Sequence, residues 1–264
     1  MRIAILGGNG FVGSSLVKYL EQGHFVKSFT RQNIDMLDPY QVRVAVKEGN
    51  FDVVVNSASV TSQSSYEDVR NDLGIFINFY SCSSYYKKFI NLSSGAELDR
   101  SLNLYNISET ALFDVLPADS YGFVQNTKSR ICFETEKFYT LRIFNCFGRG
   151  EIPTRIFPRF LSKTDTLEIT NDRYFDYFSI QDLCRVVEQF ILNDQSVKDV
   201  NCVYLQKFKI SEVLEKFCKI NNLKSDFSVT STSQNNYTGS GALLAELDFN
   251  LIGLDKGLEY YLKD

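Results

Sequence analysis

A glycine-rich turn close to the first residue constrains the fold of this chain more than any other feature. Gly7, Gly10 and Gly13 follow the strand-like run Arg2–Leu6 and precede a stretch with helical period. In such a turn the first glycine permits the tight bend, the second lets the backbone approach a pyrophosphate, and the third lets the helix pack on the strand. The helix N-terminus favours phosphate through its free N–H groups and its dipole. The motif predicts a dinucleotide site formed by Gly7, Asn9, Gly10, Phe11, Val12 and Gly13.

The first half of the chain alternates short β-branched or aromatic runs with helix-period stretches, which is typical of βαβ units. The apolar run Val53–Val55 fits a strand that helices cover on both faces. We therefore expect an α/β fold, a doubly wound parallel Rossmann sheet with a small C-terminal substrate-binding part. The predicted strands are Arg2–Leu6, Phe25–Phe29, Asp52–Asn56, Lys88–Leu92 and Phe138–Ile143.

The regular alternation weakens after about Gly148. Residues 1–148 are expected to form the dinucleotide-binding Rossmann domain and residues 149–264 the smaller substrate-binding part, with about 176–205 returning to the core. The polar segment Ser228–Ser240 is interpreted as a strand end followed by a loop. The other predictions in this half are strands at Leu167–Thr170 and Tyr174–Phe178 and helices at Ile180–Leu192, Ser211–Asn221 and Leu258–Leu262.

Composition excludes several kinds of site and partner. His24 is the single histidine, and the six cysteines are never closer than fourteen positions apart, so we expect no metal site. A formal net charge of −4 without a dense Lys/Arg block argues against a nucleic-acid partner. No apolar run approaches the roughly 18–20 residues of a membrane span, and no signal-peptide pattern is present. We expect a cytoplasmic protein that does not bind membranes.

The end of the second predicted strand indicates which dinucleotide is bound. Sites for NAD place an acidic residue there for the ribose hydroxyls, whereas an arginine accommodates the 2′-phosphate of NADP. This chain has Phe29-Thr30-Arg31-Gln32 and no carboxylate before Asp35. Arg31 therefore favours NADP over NAD, and the alternative is a surface arginine without a role in binding.

Several further motifs follow the glycine turn in a specific order. They are Asp35-Met36-Leu37-Asp38, Asn56-Ser57-Ala58-Ser59, Asn71, Ser93-Ser94 and Tyr121-Gly122. In order and spacing the chain resembles the extended short-chain dehydrogenase/reductases, the NAD(P)-dependent nucleotide-sugar epimerases, dehydratases and reductases. The resemblance runs from residue 1 to about 182. The run from Asp52 to Ser59 is most similar to the dTDP-4-dehydrorhamnose reductase branch.

The resemblance implies roles for individual residues. Ser94 and Tyr121 match the catalytic serine and tyrosine, and Ser94 would also contact the substrate. Arg142, Asn145 and Gly148 fall in a run whose asparagine faces the nucleotide-sugar in the family. The cofactor contacts implied are Asp35 and Met36 at the adenine, Ser57, Ala58 and Ser59 at the diphosphate and ribose, Asn71 as a brace on the central helix, and Tyr121.

Elementary chemistry supports Ser94 and Tyr121 independently of the resemblance. Interconverting a carbonyl and an alcohol needs a proton donor at the oxygen while hydride moves at the carbon. A tyrosine can serve if its pKa is lowered from about 10. A serine at the carboxyl end of a strand can hydrogen-bond the same oxygen in the crevice where open α/β sheets bind ligands. The alternatives are a helix-capping serine and a packed aromatic ring.

The sequence departs from the family pattern next to the tyrosine. The family has a lysine four residues after it, which holds the nicotinamide ribose and favours the tyrosinate, and this chain has Gln125. Gln125 could keep the ribose hydrogen bonds but carries no charge. Lys128 lies seven residues after Tyr121, within about 20° of the same helix face, and could reach back toward the site. The simpler expectation for Lys128 is an exposed lysine on the helix surface.

The substrate side departs as well. The family often has an arginine immediately before the aspartate that matches Asp176, and Phe175 stands in that place. Arg173, two residues earlier, is the candidate to contact the phosphates of the substrate. Arg155 and Arg159 are further candidates, and surface arginines without a binding role are the alternative.

Three functions remain open on the sequence. The first is an NADP-dependent (or NAD-dependent) reductase of a 4-keto nucleotide-sugar, and the second is a nucleotide-sugar 4-epimerase, which would use the same groups twice. The third is an NADP-binding protein with weak or no catalysis, because Gln125 replaces the family lysine. We also expect a homodimer, since many relatives pair through two long helices, expected here near residues 66–86 and 120–136.

Overall fold

A computed structural model describes residues 1–59 and 65–263. The strands are β1 (Arg2–Leu6), β2 (Phe25–Phe29), β3 (Val53–Asn56), β4 (Lys88–Ser94), β5 (Leu104–Ile107), β6 (Phe138–Ile143), β7 (Cys146–Phe147), β8 (Leu167–Ile169), β9 (Phe178–Ser179), β10 (Asp199–Cys202), β11 (Phe227–Val229) and β12 (Tyr237–Gly239). The helices are α1 (Phe11–Leu20), α2 (Pro39–Gly49), α3 (Tyr66–Tyr80), α4 (Ser120–Glu134), α5 (Ile156–Ser162), α6 (Ile180–Leu192), α7 (Ile210–Ile220), α8 (Ala242–Glu246) and α9 (Gly253–Lys263).

Six parallel strands form the main sheet, in the order β10-β6-β4-β3-β1-β2. The chain starts in β1, winds outward to β2, and then crosses back through β3 toward β10. The strand order therefore reverses between β1 and β3, and the connections there separate to leave a crevice at the carboxyl ends. The prediction of a doubly wound parallel α/β sheet is confirmed.

Helices cover both faces of this sheet, as its side-chain alternation requires. Along β1, Ile3 and Ile5 enter one core, whereas Ala4 and Leu6 enter the core on the opposite face. Helices α1 and α6 contribute to the first core, and α2 and α3 contribute to the second. All four of these β1 side chains are buried, which explains why the strand is continuously apolar.

The later part of the chain adds a third apolar core and small parallel strand pairs outside the main sheet. Phe157 on α5, Phe217 on α7 and Leu258 on α9 pack together in this core. Strand β8 pairs with β11, and β5 pairs with β12. Between β8 and α7 the chain returns to the main sheet, where α6 packs on α1 and β10 pairs with β6.

Several element predictions differ from the structure. The predicted strand Tyr174–Phe178 is wrong: Tyr174 and Phe175 make isolated bridges to two different segments, and the strand there is β9. The interpretation of Ser228–Ser240 missed β12, whose polar residues pair with β5 more than 130 positions earlier in the chain. Helix α3 ends at Tyr80 instead of running to 86, because a separate 3-10 turn covers Ser83–Tyr85.

Within residues 1–59 and 65–263, no helix combines the length and the apolar character needed to cross a bilayer.

Candidate active site

The glycine turn between β1 and α1 is packed tightly against the end of β3. Gly7 has a φ of +77°, and a Cβ there would lie 2.9 Å from the Ala58 Cα. A Cβ on Gly13 would lie 2.3 Å from the carbonyl oxygen of Gly7. A Cβ on Gly10 would meet nothing closer than 3.4 Å. The protein's own packing therefore requires the first and third glycines, whereas the space beside Gly10 stays open.

A cleft of about 320 Å³ opens beside this turn, at the point where the strand order reverses. Eight predicted cofactor residues line it, namely Gly7, Asn9, Gly10, Arg31, Met36, Ser57, Ala58 and Ser59. Thr30, Gln32 and Ile75 also line it and were missed. Thr30 and Gln32 flank Arg31, so their position next to it in the sequence could have identified them. Ile75 reaches the cleft only through the packing of α3.

The cleft fits a dinucleotide on its own geometry. Helix α1 begins at Phe11 with Gly10 as its N-cap, and among the described residues no side chain caps it. The N–H groups of Phe11, Val12 and Gly13 in the first turn are therefore left for a phosphate. The open space at Gly10 leaves room for the close approach that a pyrophosphate needs.

Three predicted cofactor residues lie around this cleft with contacts of their own. Met36 is buried, and its carbonyl accepts a hydrogen bond from Asn78 at 3.0 Å. The carboxylate of Asp35 is outside the cleft lining and accepts from the Leu37 N–H at 2.9 Å. Asn71 is half-buried on α3 and accepts from Arg70 at 3.4 Å. The cofactor roles of Asp35 and Asn71 stay predictions.

Ser94 and Tyr121 meet at the carboxyl end of β4. Ser94 is the last residue of that strand, and its Oγ accepts from the Ala96 N–H at 3.2 Å. Tyr121 lies in the first turn of α4, whose N-cap Asp119 accepts from the Gly122 N–H at 2.9 Å. The hydroxyls of Ser94 and Ser59 lie next to the Tyr121 hydroxyl. The three hydroxyls thus converge beside the dinucleotide cleft.

Burial raises the pKa of the Tyr121 hydroxyl above its ordinary value. The hydroxyls of Ser94 and Ser59 lower that pKa, while the negative charge of Asp72 raises it. The guanidinium of Arg100, with its Cζ 5.6 Å from the centre of the ring, lowers it. The net effect is a raised pKa, so Tyr121 is protonated at neutral pH and is equipped to donate a proton.

A buried polar cluster lies behind Tyr121, between α3 and α4. Lys128, Gln125 and Asp72 are only 1%, 1% and 2% exposed. Lys128 Nζ donates to Asp72 Oδ1 at 2.6 Å. Ser59 Oγ donates to Asp72 Oδ2 at 3.2 Å, and Gln125 Nε2 donates to Ser59 Oγ at 3.0 Å and to Asp72 Oδ2 at 3.5 Å. The cluster therefore connects Lys128 to the hydroxyls around Tyr121.

The simpler expectation of an exposed Lys128 is wrong. Helical period puts Lys128 on the same face as Tyr121, and that face packs against α3 instead of facing water. Burial lowers the pKa of Lys128, and the Asp72 carboxylate acts in the opposite direction. Asp72 was missed by sequence reasoning, although it is the neighbour of Asn71. A helix residue cannot be assigned to an inward face until its partner helix is placed.

Tyr237 is a further residue of this site that sequence reasoning missed. It is buried on β12, and its hydroxyl lies next to Ser94. Burial raises the pKa of Tyr237, and the hydroxyl of Ser94 opposes that rise. The Tyr237 ring lies 5.0 Å from the ring of Phe144 and 5.3 Å from that of Phe175. No local pattern around residue 237 signals this role, because it arises from pairing with β5.

Asn145 lines a second pocket, of about 270 Å³. Its Oδ1 accepts from Arg155 Nη1 at 2.7 Å. Glu151 accepts from the Tyr261 hydroxyl at 2.9 Å. Burial raises the pKa of Glu151 to about 7, while Tyr261 and Arg155 oppose the rise. The lining is completed by Thr154, Ile156, Arg159, Phe175, Tyr177 and Ile210.

Arg173 and Arg142 lie outside that pocket. Arg173 Nη1 donates to the carbonyl of Asn235 at 2.7 Å, and its Cζ lies 5.3 Å from the centre of the Phe175 ring. The predicted substrate contact of Arg173 therefore stays a prediction. Arg142 is fully buried and bonds to Glu97, to Asp199 at 2.6 Å and to Asn201 at 2.7 Å, which makes it a residue of the fold's interior.

The chain is similar to several known proteins. Residues 3–202 match the model of the NAD dependent epimerase/dehydratase family. The GDP-6-deoxy-D-talose 4-dehydrogenase of Aggregatibacter actinomycetemcomitans is 21% identical over 239 residues, covering 83% of this chain and 80% of that protein.

Solved structures share the architecture over almost the whole chain. The GDP-mannoheptose C4 reductase from Campylobacter jejuni with NADP bound superposes with a TM-score of 0.82 at 20% identity, covering 99% of this chain and 96% of that one. The dTDP-4-dehydrorhamnose reductase from Clostridium acetobutylicum gives a TM-score of 0.82 at 18% identity, with coverage of 100% and 99%. At these identities the likeness shows the fold.

Proposed function

Since the chain belongs to the NAD dependent epimerase/dehydratase family, we propose that it is an NAD(P)-dependent oxidoreductase that reduces the 4-keto group of a nucleotide-sugar. The observation that carries this proposal is the convergence of the hydroxyls of Tyr121, Ser94 and Ser59 beside the cleft. Ser59 lines the dinucleotide cleft, so a proton donor and a hydride donor would meet at one place. Carbonyl reduction requires that juxtaposition.

Each group of site residues would have its own role in the proposed reduction. The glycine turn, the first turn of α1 and the walls of the cleft would hold the cofactor. A reduced nicotinamide dinucleotide, when bound, supplies the hydride. Tyr121 would give its hydroxyl proton to the carbonyl oxygen, and Ser94 would hydrogen-bond that oxygen and orient it. The phenolate left on Tyr121 would regain a proton from water.

The nucleotide-sugar would extend toward the second pocket. The GDP-linked and dTDP-linked sugars named for the similar proteins support this substrate class. Arg155 and Arg159 line that pocket, and guanidinium groups bind phosphate oxygens with paired hydrogen bonds. Asn145, oriented by Arg155, would contact the sugar. Arg173 would reach the substrate only after releasing the Asn235 carbonyl.

We further propose that the preferred cofactor is NADP. Arg31 lines the cleft after β2 and is exposed, which leaves its guanidinium free to meet a 2′-phosphate. Residues 1–148 would form the cofactor domain and residues 149–264 the substrate part, with about 176–205 returning to the main sheet. The cytoplasm is the proposed compartment, which fits six cysteines that are all free and buried.

A homodimer through α3 and α4 is also part of the proposal. The exposed rings of Phe123 and Phe133 lie on α4, and Ile77 is exposed on α3. Phe113 packs on Phe133 with ring centres 5.0 Å apart. Burying such apolar side chains is a common reason for association. Phe133→Glu should yield a monomer in sedimentation velocity, whereas Phe25→Glu, at an exposed phenylalanine on β2, should leave the dimer intact.

A second candidate function, cofactor binding with weak or no catalysis, is favoured by Gln125. This side chain donates into Ser59 and Asp72, and it brings no positive charge to Tyr121. The epimerase alternative would use the same Tyr121 and Ser94 without net consumption of cofactor.

Purified protein, NADPH and a panel of GDP-linked and dTDP-linked 4-keto sugars separate the three functions. A reductase should oxidise one NADPH per product. Tyr121→Phe should lower kcat about 100-fold or more, the usual contribution of a positioned acid. Tyr40→Phe, at a tyrosine that is 75% exposed, is the matched control and should be unchanged.

Other outcomes point to the alternatives. Turnover without net NADPH oxidation would identify an epimerase. Tight NADPH binding with no turnover on any sugar of the panel would favour the binding protein.

A further inference from the structure

The buried cluster behind Tyr121 contains one full negative and one full positive charge. Lys128 and Asp72 form an ion pair with an Nζ to Oδ1 distance of 2.6 Å, and they come from helices 56 positions apart in sequence. Taking two charges out of water costs free energy that their attraction only partly offsets. A buried ion pair is therefore weak evidence for added stability, and its place beside a proton donor calls for another explanation.

The two oxygens of Asp72 face different neighbours. Oδ1 accepts from Lys128, whereas Oδ2 accepts from Ser59 at 3.2 Å and from Gln125 at 3.5 Å. Ser59 in turn lies next to the Tyr121 hydroxyl. The carboxylate is thus the member of the pair that is connected to the tyrosine, and the ammonium lies on the other side of it.

Other polar groups also face Tyr121. Ser94 at the end of β4 and Ser59 after β3 lie next to its hydroxyl, and neither is charged. Tyr237 on β12 approaches through Ser94. Arg100 is the cation on this side, and its Nη2 is paired with Asp119 at 2.7 Å near the surface. Among the described residues, the buried charge that acts on Tyr121 is therefore that of Asp72.

We propose that Asp72 and Lys128 are positioning residues that keep Tyr121 in its protonated form, so that the site is set for carbonyl reduction and against alcohol oxidation. This inference rests on the proposed reductase function. In reduction the Tyr121 O–H bond breaks, the proton goes to the substrate oxygen as the carbon takes up hydride, and water returns a proton to the phenolate. In oxidation a phenolate must already be present to accept the proton of the alcohol.

Lys128 also acts on the Asp72 carboxylate. Without Lys128, the buried Asp72 carboxylate would lose the cation that compensates its charge. Asp72 Oδ1 in turn holds the ammonium of Lys128 at 2.6 Å. Gln125 holds Ser59 in place through a neutral hydrogen bond of 3.0 Å.

The test measures the ionisation of Tyr121 directly, so that it does not depend on turnover. Tyrosinate absorbance is titrated in the protein saturated with NADP, and the Tyr121→Phe titration is subtracted to isolate the one residue. Wild-type Tyr121 should stay protonated to at least about pH 10, the value for a free tyrosine. Ionisation of Tyr121 near neutral pH in the wild type would overturn the proposal.

Charge-changing variants then test the cause. Asp72→Asn should lower the pKa of Tyr121 by about one unit or more, a tenfold larger phenolate fraction at a given pH. Gln125→Lys should also lower it, by bringing a cation next to Ser59. Glu67→Gln removes an exposed carboxylate from the same helix and should change nothing. An unchanged Tyr121 titration in Asp72→Asn would overturn the proposal.

Two further measurements keep the result interpretable. If Asp72→Asn does not fold, the double variant Asp72→Asn/Lys128→Met removes both charges and serves in its place. The pKa of Tyr121 in the double variant should also be lower than in the wild type. Where a keto sugar is turned over, the kcat/KM for reduction should stay constant as pH rises in the wild type. In Asp72→Asn it should begin to decrease with rising pH, and at a lower pH than in the wild type. If no sugar is reduced, the reductase function fails, while the tyrosine titration still decides the role of Asp72.

Discussion

Arg142 on β6 and Asp199 on β10 form an ion pair inside the main sheet, with Nη2 2.6 Å from Oδ2 and both side chains buried. The same guanidinium bonds to Glu97, in the 3-10 turn that follows β4. Glu97 also accepts from the hydroxyls of Ser93 and Ser129. Arg142 therefore links β6, β10 and the turn after β4, and it lies opposite Ser93, the neighbour of Ser94.

Arg142→Met should destabilise the fold severely. Removing the guanidinium leaves Glu97 and Asp199 as buried carboxylates without their cation, and breaking such a pair costs about 3–5 kcal/mol. Urea unfolding followed by circular dichroism measures the loss. Arg70→Met removes an exposed pair with Glu67 and should cost less than about 1 kcal/mol. Equal stabilities of the two variants would contradict the role given to Arg142.

Alanine at two positions of the glycine turn should have separable effects. A Cβ at position 10 meets nothing closer than 3.4 Å, so Gly10→Ala should fold normally and lose at least about tenfold in NADPH affinity by filling the space for the pyrophosphate. A Cβ at position 13 would lie 2.3 Å from the Gly7 carbonyl oxygen. Gly13→Ala should therefore also lose about 1–3 kcal/mol of stability.

Fluorescence titration with NADPH and thermal unfolding of the two glycine variants provide the comparison. Retention of full NADPH affinity in Gly10→Ala would mean that the cofactor does not pass close to this backbone.

Arg31→Gln should change the choice of cofactor. The variant loses the cation proposed to meet the 2′-phosphate, and charge-assisted hydrogen bonds of this kind contribute about 1.5–3 kcal/mol. The Kd for NADPH should rise about tenfold or more, while the Kd for NADH stays within about twofold. Lys18→Gln on α1, outside the cleft lining, is the control. A parallel loss for both cofactors would show that Arg31 does not read the 2′-phosphate.

Stability should fall with rising pH because of Glu151. Burial raises its pKa in the folded protein from 4.5 to about 7. The folded state then holds the proton more tightly than the unfolded state, so stability is fully present below about pH 4.5 and is lost as pH rises through about 7. Glu151→Gln should remove this loss, on the order of 1 kcal/mol after solvent screening.

Urea unfolding of wild type and Glu151→Gln at pH 5 and pH 8 checks this prediction. A wild type that loses no more stability over this range than the variant would contradict it.

Local pattern determined much of the fold. Strands β1, β2 and β6 and helix α6 have the predicted bounds, because the periods of two and 3.6 residues follow from steric and hydrogen-bonding rules within each segment. The glycine turn was interpretable for the same reason, since its bend and close packing restrict the residues at 7 and 13. The family resemblance is confirmed by the match over residues 3–202.

Tertiary structure decided the surroundings of Tyr121. Asp72 meets Lys128 only because α3 packs on α4, and Tyr237 reaches Ser94 only because β12 pairs with β5. The sequence by itself determined the glycine turn, strands β1, β2 and β6 and the candidates Ser94 and Tyr121. Contacts between distant segments decided which groups set the charge around that tyrosine. The partner of a side chain depends on where two backbones are placed, and the hydrophobic pattern of neither segment records it.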